Sequence, residues 1–379
     1  MNKIFAFFKK EIMLTVSVIA AVISLFITPP SKALLESIDW KTLATLFMLL
    51  SVLEGFKKEN IFNPLLKRTS RLCSIKGLTC FFVYSVFLTS MFVTNDVSLI
   101  IFVPLTIMLF KAGGKEQYII PVLTFENIAA IRGSLLTPFG SPQNLFLFSQ
   151  SGISAPSFML MMLPLWLFSS VLLFIFILFL YRKDEKELIT IEEEKLCEEW
   201  KKENRGKRIL YITLFVIIVA TIVSRTVFWP YVTIVVAAAL LIFDHKILFR
   251  TDYVLLLTFF CFFVFSSSIC GNPAISEFLK KWVGGHEYVW SILLSQIISN
   301  VPASIVLWPF TVNLKALLYG LDSAGLCSII GSLASVINLR IYSREYPGNS
   351  MKFIRKFTWI SLIFFAVVAG PQYLLLRLW

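Results

Sequence analysis

The chain has few of the residues that carry soluble catalysis or metal chemistry. Its only histidines, His245 and His286, are far apart, and its six cysteines (Cys73, Cys80, Cys197, Cys261, Cys270, Cys327) form no Cys-x-x-Cys pair. A zinc cluster or a redox dithiol therefore has no ligand set to build on. No phosphate-binding glycine loop and no spaced Ser, His and Asp set is present, which makes a membrane-embedded enzyme the weakest of the open function classes. Charge is scarce too. Only 15% of the 379 residues are charged, against 57% hydrophobic, and the mean hydropathy is +0.80. That balance excludes an ordinary soluble domain and implies a polytopic membrane protein.

What the chain does have is long apolar runs. Stretches near 12–28, 40–56, 158–181, 209–225, 228–243, 252–269 and 358–376 are each long enough, or nearly so, to cross a hydrocarbon core of about 30 Å as helix. An all-α fold follows. The net charge of +12 does not point to nucleic acid, because 26 of the 35 Lys and Arg fall in 1–11, 57–76, 111–115, 182–208, 244–251 and 343–357. Alternating spans place those segments on one side, so the excess reports orientation: a multi-pass protein of a bacterial or archaeal inner membrane with a cytoplasmic N-terminus. The early lysines, the apolar stretch and Ser31-Lys32-Ala33 have the form of a signal peptide, but the many spans that follow predict that this first span is retained. Residues 182–208, with nine acidic and nine basic side chains and no apolar stripe, read as a solvated cytoplasmic connection.

Four polar interruptions break the apolar runs, in matching order. Thr94-Asn95-Asp96 splits the run 78–110, and Gly140-Ser141-Pro142-Gln143-Asn144 splits 117–149. In the second half Ser299-Asn300-Val301-Pro302 splits 288–312, and Gly331 to Ser335 splits 319–342. The runs 78–110 and 288–312 read as re-entrant hairpins, since roughly 16 and 14 apolar residues flank the first tip and about 20 are needed to cross. The other two read as broken helices. Unwound polar backbone is tolerated in hydrocarbon only where protein or a cavity surrounds it, so the four breaks point to a binding site at mid-depth.

This order defines the domains: a first membrane repeat at 1–181, a charged linker plus linking span at 182–227, and a second repeat at 228–379. The single linking span starts the second half from the opposite side, an inverted-topology repeat. Weak internal likeness agrees, as Ile38-Asp39-Trp40 matches Thr251-Asp252-Tyr253 and Phe139-Gly140-Ser141 matches Ile330-Gly331-Ser332.

At each tip there are two readings. Asn95, Asp96 or Asn300 can simply cap the helix that follows, with Pro302 suited to a first helical turn. Alternatively, the helix starts attract an anion while hydroxyl, amide and backbone oxygens hold a small cation. Thr137-Pro138 and Ser141-Pro142 weaken the helix around Gly140, whereas the break at Gly331 lacks proline and small-residue helix packing competes with it. Glu126 and Arg132, six apart, are not ideal helix partners; Glu126 is expected near the cytoplasmic interface, with gating or proton relay as the other reading, and so is Glu54.

The segments TNDVSLIIFVPL, GSLLTPFGSPQNL, SNVPASIVL and GLCSIIGSLASVI resemble those of the ion transporter superfamily. They are similar to the citrate-transporter-like anion permeases, which are related to divalent anion:sodium symporters and arsenite permeases. The resemblance runs from about Asp39 to Tyr342. It implies two clusters in which tips and breaks hold sodium ions around a carboxylate, on a transport domain that moves as an elevator. Carried over by position, Thr94, Asn95 and Gly140 form one cation cluster and Ser299, Asn300 and Gly331 the other, with Asn95, Asn300, Ser141, Asn144, Ser332 and Ser335 toward substrate. Where the symporters carry a threonine after the tip asparagine, this chain has Asp96 and Val301. An aspartate there needs a cation or proton to neutralise it, which adds Asp96 to the coupling residues and opens proton coupling beside sodium.

The expectation is thus a secondary transporter of a small anion, carboxylate or oxyanion, coupled to sodium or protons, with a sodium/proton antiporter as the alternative. No cofactor or metal beyond coupling sodium is expected. Its partners are the substrate anion, the coupling ion and the bilayer, with a homodimer left open.

Overall fold

The structure, a computed structural model, describes residues 12–59, 74–182, 205–224 and 226–377. Residues 1–11, most of 57–76 and most of 182–208, expected to face the cytoplasm, lie outside the described residues. The described residues are helical without a strand. The first half runs α1 (Ile12–Ile27), a short α2 (Lys32–Glu36), α3 (Trp40–Lys58), α4 (Ile75–Val93), α5 (Asn95–Ala112), α6 (Ile119–Gly133), α7 (Pro142–Ser151) and α8 (Ala155–Leu180). After α9 (Arg205–Ser224) come α10 (Trp229–Leu248), α11 (Tyr253–Cys270), α12 (Pro273–Val283), α13 (Glu287–Ile298), α14 (Asn300–Leu307), α15 (Leu314–Ala324), α16 (Leu333–Glu345) and α17 (Ser350–Arg377).

Among the described residues, seven helical segments are long and apolar enough to cross a membrane: α4, residues 116–136 including α6, α8, α9, α10, α11 and α17. They fall into two kinds. Apart from Glu116 and Gln117, the segment 116–136 is almost wholly buried inside the protein, whereas α10 is mostly exposed and turns Val235, Ile242 and other large apolar side chains outward. The first is a core helix; the second presents its apolar surface to lipid.

Packing repeats across the halves. The first helix of each half lies against a later helix of the other: α1 on α11, and α10 on α3. Within each half the first hairpin arm packs on the helix before the break, α4 on α6 and α13 on α15. These contacts are close because of a glycine in each: a Cβ at Gly133 would sit 1.9 Å from the Phe87 carbonyl, and one at Gly320 2.6 Å from that of Tyr288. Small residues that let backbones approach are the usual adhesive between helices in lipid. The second hairpin arms cross over, α5 on α16 and α14 on α7.

Two contacts draw basic segments together in two groups. Asp244, at a kink of α10 (φ −158°, ψ 67°), accepts on Oδ2 from Lys58 (2.5 Å), Lys207 (2.8 Å) and the Tyr211 hydroxyl (2.9 Å). The Lys111 ammonium lies over the Tyr346 ring, 5.7 Å from its centre.

The hairpin arms depart from expectation. α4 and α5 have 19 and 18 residues, so the first arm is long enough to cross. Arm length is therefore not what makes this segment turn. The chain nevertheless reverses at Thr94, because the Thr89 hydroxyl donates to Ser98 Oγ nine residues on at 3.1 Å; a continuous helix would hold them about 13 Å apart at 1.5 Å per residue.

Candidate functional site

The two tips share one backbone geometry. Thr94 has φ 70° and ψ 157°, Ser299 φ 68° and ψ 160°, and they are the only non-glycine residues of positive φ among those described. This region is nearly exclusive to glycine and costs a residue with a Cβ on the order of 1–3 kcal/mol, so strain of one form is held at two matching places. Neither Thr94 nor Ser299 caps the helix that follows with its side chain. At the first tip the Asn95 side-chain oxygen takes the adjacent Asp96 N–H at 2.9 Å.

The tips then differ. Asn300 is joined to the second break: its N–H donates to the Gly331 carbonyl (3.2 Å) and its side-chain amide to the Leu321 carbonyl (3.5 Å), while the Ser299 hydroxyl donates to the Asn300 amide oxygen (3.4 Å). Ser299, Asn300 and Gly331 thus come together as the sequence grouped them. At the first tip, no such bond links Asn95 to Gly140 among the described residues. Instead the Thr137 hydroxyl fastens the first break to the Met91 carbonyl on α4, and Thr94, Asp96 and Pro142 line one cavity of about 380 Å³. That cavity also meets Leu46, Leu53 and Glu54 of α3, Arg250 and Asp252 before α11, and Ile337 of α16. It lies where the tip and broken-helix elements face α3 and α11.

Both breaks fold tightly on themselves. A Cβ at Gly140 would be 2.1 Å from the Ser134 carbonyl, and one at Gly331 2.3 Å from that of Ala324, so only glycine fits. The first break spans 134–141, as the proline signals imply. Ser141 caps α7 by accepting from the Asn144 N–H (3.4 Å), and the Asn144 amide donates to the Ser134 carbonyl (3.5 Å). The second break is earlier than its polar residues suggested: the chain unwinds over 325–332, where Gly325 ends α15, and Ser335 already belongs to α16. Ser332 precedes α16 without a side-chain cap, and Ser335 Oγ accepts from the Asn127 amide at 3.0 Å.

Glu126 requires a correction as well. It is fully buried, not interfacial, because it belongs to the core helix α6, where it accepts from the Thr106 hydroxyl of α5. Arg132 is fully buried too, and its partners come from the other half. Its Nη2 donates to Ser323 Oγ (3.1 Å), which also bonds Gln372. Beside Ser323, the fully buried Asp322 accepts from Gln143 Nε2 at 3.1 Å. Arg132 and Asp322 each lie in the last turn of the helix before a break, one in each half. Sequence reading missed Asp322, although an acid in the apolar run before the second break was the signal.

In composition and in its long apolar helices, this is a polytopic membrane protein. The chain matches the citrate transporter family over residues 3–331. It is 30% identical over 328 residues to the inner membrane protein YbiR of Escherichia coli, covering 84% of each chain. It is also 30% identical over 312 residues to an uncharacterized transporter of Methanocaldococcus jannaschii, covering 80% of this chain and 81% of that one. A 46 kDa membrane protein of Mycobacterium leprae is 24% identical over 381 residues, 90% of this chain and 87% of its own. The match covers the hairpins and the first break and ends at the glycine of the second: the chain belongs to the citrate transporter family.

Proposed function

We propose that the protein is a secondary transporter that moves a small carboxylate or oxyanion across the inner membrane, coupled to sodium or protons, by elevator-type alternating access. The observation that carries this reading is the pair of identically strained tips, each beside a broken helix, in two halves with the same order of elements. Helix starts and unwound backbone at mid-depth bind anions and small cations, and discontinuous helices in corresponding positions of two halves mark transporter sites. Thr94, Asn95 and Gly140 form the first cation cluster and Ser299, Asn300 and Gly331 the second, with Asn144 and Ser332 toward the anion. Ser141 and Ser335 support this site through the cap and the Asn127 bond. α3 and α11 belong to the static frame, and the cavity at Asp96 is the opening between frame and moving part.

A sodium/proton antiporter is the second reading, favoured by the acidic Asp96 at the cavity. Proteoliposomes given labelled carboxylates and oxyanions, with sodium and proton gradients imposed separately, distinguish the two. Gradient-driven anion accumulation is the expected result. Collapse of a pH gradient by sodium or lithium alone, with no anion moved, would establish the antiporter instead.

A further inference from the structure

Three core helices, α5, α6 and α16, meet in a patch of which the transport reading uses only the Asn127–Ser335 bond. On α6, Leu123, Glu126 and Asn127 lie at i, i+3 and i+4 and so share a face. On α16, Ser335 and Asn338 are three apart and share another, and Thr106 faces them from α5. Every side chain here except Leu123 is polar, and Thr106, Glu126, Asn127, Ser335 and Asn338 all have no solvent exposure.

The hydrogen bonds of this patch leave several of its acceptors unmatched. The Thr106 hydroxyl donates to Glu126 Oε1, the Asn127 amide to Ser335 Oγ (3.0 Å), and the Asn338 amide to the Leu123 carbonyl (2.7 Å). Because a carbonyl only accepts, the last bond fixes which way the Asn338 amide points. Three buried oxygens then have no partner: Glu126 Oε2, Asn127 Oδ1 and Asn338 Oδ1. Among the described residues no Lys or Arg pairs with Glu126. Buried polar atoms are almost always satisfied, and an unpaired carboxylate in a low-dielectric interior is costlier still.

We propose that this patch is a binding site for one sodium-sized monovalent cation, held by Glu126, Asn127, Asn338 and Thr106. A cation satisfies three oxygens of one polarity together, whereas a proton on Glu126 serves one oxygen and can reach one more. One positive charge neutralises Glu126; a divalent ion leaves a net charge buried and asks for six or more oxygens. The site is separate from the tips. Glu126 lies seven residues before Gly133, and Asn338 six after Ser332, which puts both about 10 Å along their helices from the breaks at 1.5 Å per residue. All three helices reach between a tip or break and the end where Lys111 meets Tyr346, so the cation here sits between the tip clusters and that end. The proposal does not depend on which anion is carried.

The test is equilibrium binding of radioactive sodium to purified full-length protein, with the tip variants as the control for the other sites. Asn95→Ala/Asn300→Ala is expected to keep one saturable sodium per chain, and adding Glu126→Gln to remove it. Glu126→Gln/Asn338→Asp, which moves the charge across the patch, is expected to restore binding. Asn338→Ala, which keeps the carboxylate, is expected to weaken affinity about tenfold and guards against a Glu126→Gln protein that does not fold. Undiminished sodium binding in Glu126→Gln or Asn338→Ala overturns the proposal. So does a tip variant that binds no sodium, and so does a wild-type protein that takes up a proton at Glu126 in place of sodium. A wild-type protein that binds this sodium but accumulates no anion overturns the transport reading alone.

Discussion

At the first hairpin tip Asp96 borders a cavity of about 380 Å³ together with Glu54, Arg250 and Asp252; at the second, Val301 takes the equivalent place and is buried. Their backbones agree to within a few degrees, with φ 70° against 68°. The surroundings do not. Asn300 is tied to the Gly331 and Leu321 carbonyls, so the second tip and its break are one closed unit, whereas the first tip opens on a cavity lined by α3 and α11. The contrast teaches that a matched backbone can sit in unlike surroundings: the residue after the asparagine is an acid at the cavity in one tip and a buried valine in the other.

The largest effect is expected from removing the tip amides. Asn95→Ala and Asn300→Ala should each lower substrate uptake by proteoliposomes tenfold or more, about what loss of a metal-site ligand or its support costs, with folded protein retained in the membrane. A plain cap is worth only about 1 kcal/mol. Normal transport by either variant would mark its tip as structural and break the comparison at that side.

Next is Asp96→Asn, which keeps shape but cannot titrate or carry charge. Accumulation against an imposed gradient should fall to simple equilibration, while substrate affinity, read by binding at equilibrium, is retained. The reverse exchange, Val301→Asp, should not supply coupling, since Val301 is buried. Unchanged accumulation by the Asp96→Asn protein would show that the acid only caps α5.

A smaller and symmetrical effect is expected at the breaks. Gly140→Ala and Gly331→Ala each push a Cβ to within 2.1 Å and 2.3 Å of a carbonyl oxygen. Overpacking of this kind costs about 1–3 kcal/mol, so both proteins should lose monodispersity at a lower temperature than the parent. A loss on one side only would mean that the two breaks are not equivalent.

The smallest change is stabilising. Thr94→Gly and Ser299→Gly relieve positive-φ strain at the cost of glycine's chain entropy, a net gain of at most about 1 kcal/mol. A thermal stability measurement that finds neither variant raised would show that the tips are not strained and would remove the strongest feature the two halves share.

Part of the candidate site was legible in the chain because polar residues inside apolar runs have few explanations in a membrane. Thr94-Asn95-Asp96 and Ser299-Asn300 stood out in that way, and the prolines around Gly140 signalled the first break. The second break was placed several residues late, because Gly331 and Ser335 resemble a polar interruption while Gly325, which ends α15, looks like a packing glycine. Glu126 was assigned to an interface because a linear run does not reveal which helix is surrounded by protein. The structure makes α6 a core helix and buries it.

By itself, the sequence determined the membrane setting, the helical class, the order of elements in the two halves and the tip residues, because hydrocarbon imposes length, polarity and satisfaction rules that act on local stretches. Only the tertiary structure decided that α5 crosses to α16 and α14 to α7, that Arg132 donates to Ser323, beside Asp322, of the other half, and that Glu126, Asn127 and Asn338 gather unpaired oxygens in one patch. Those are meetings between residues up to about two hundred positions apart. No local rule encodes them, because packing against a neighbouring helix, and not the hydropathy of the run, decides which face of a helix in lipid turns inward.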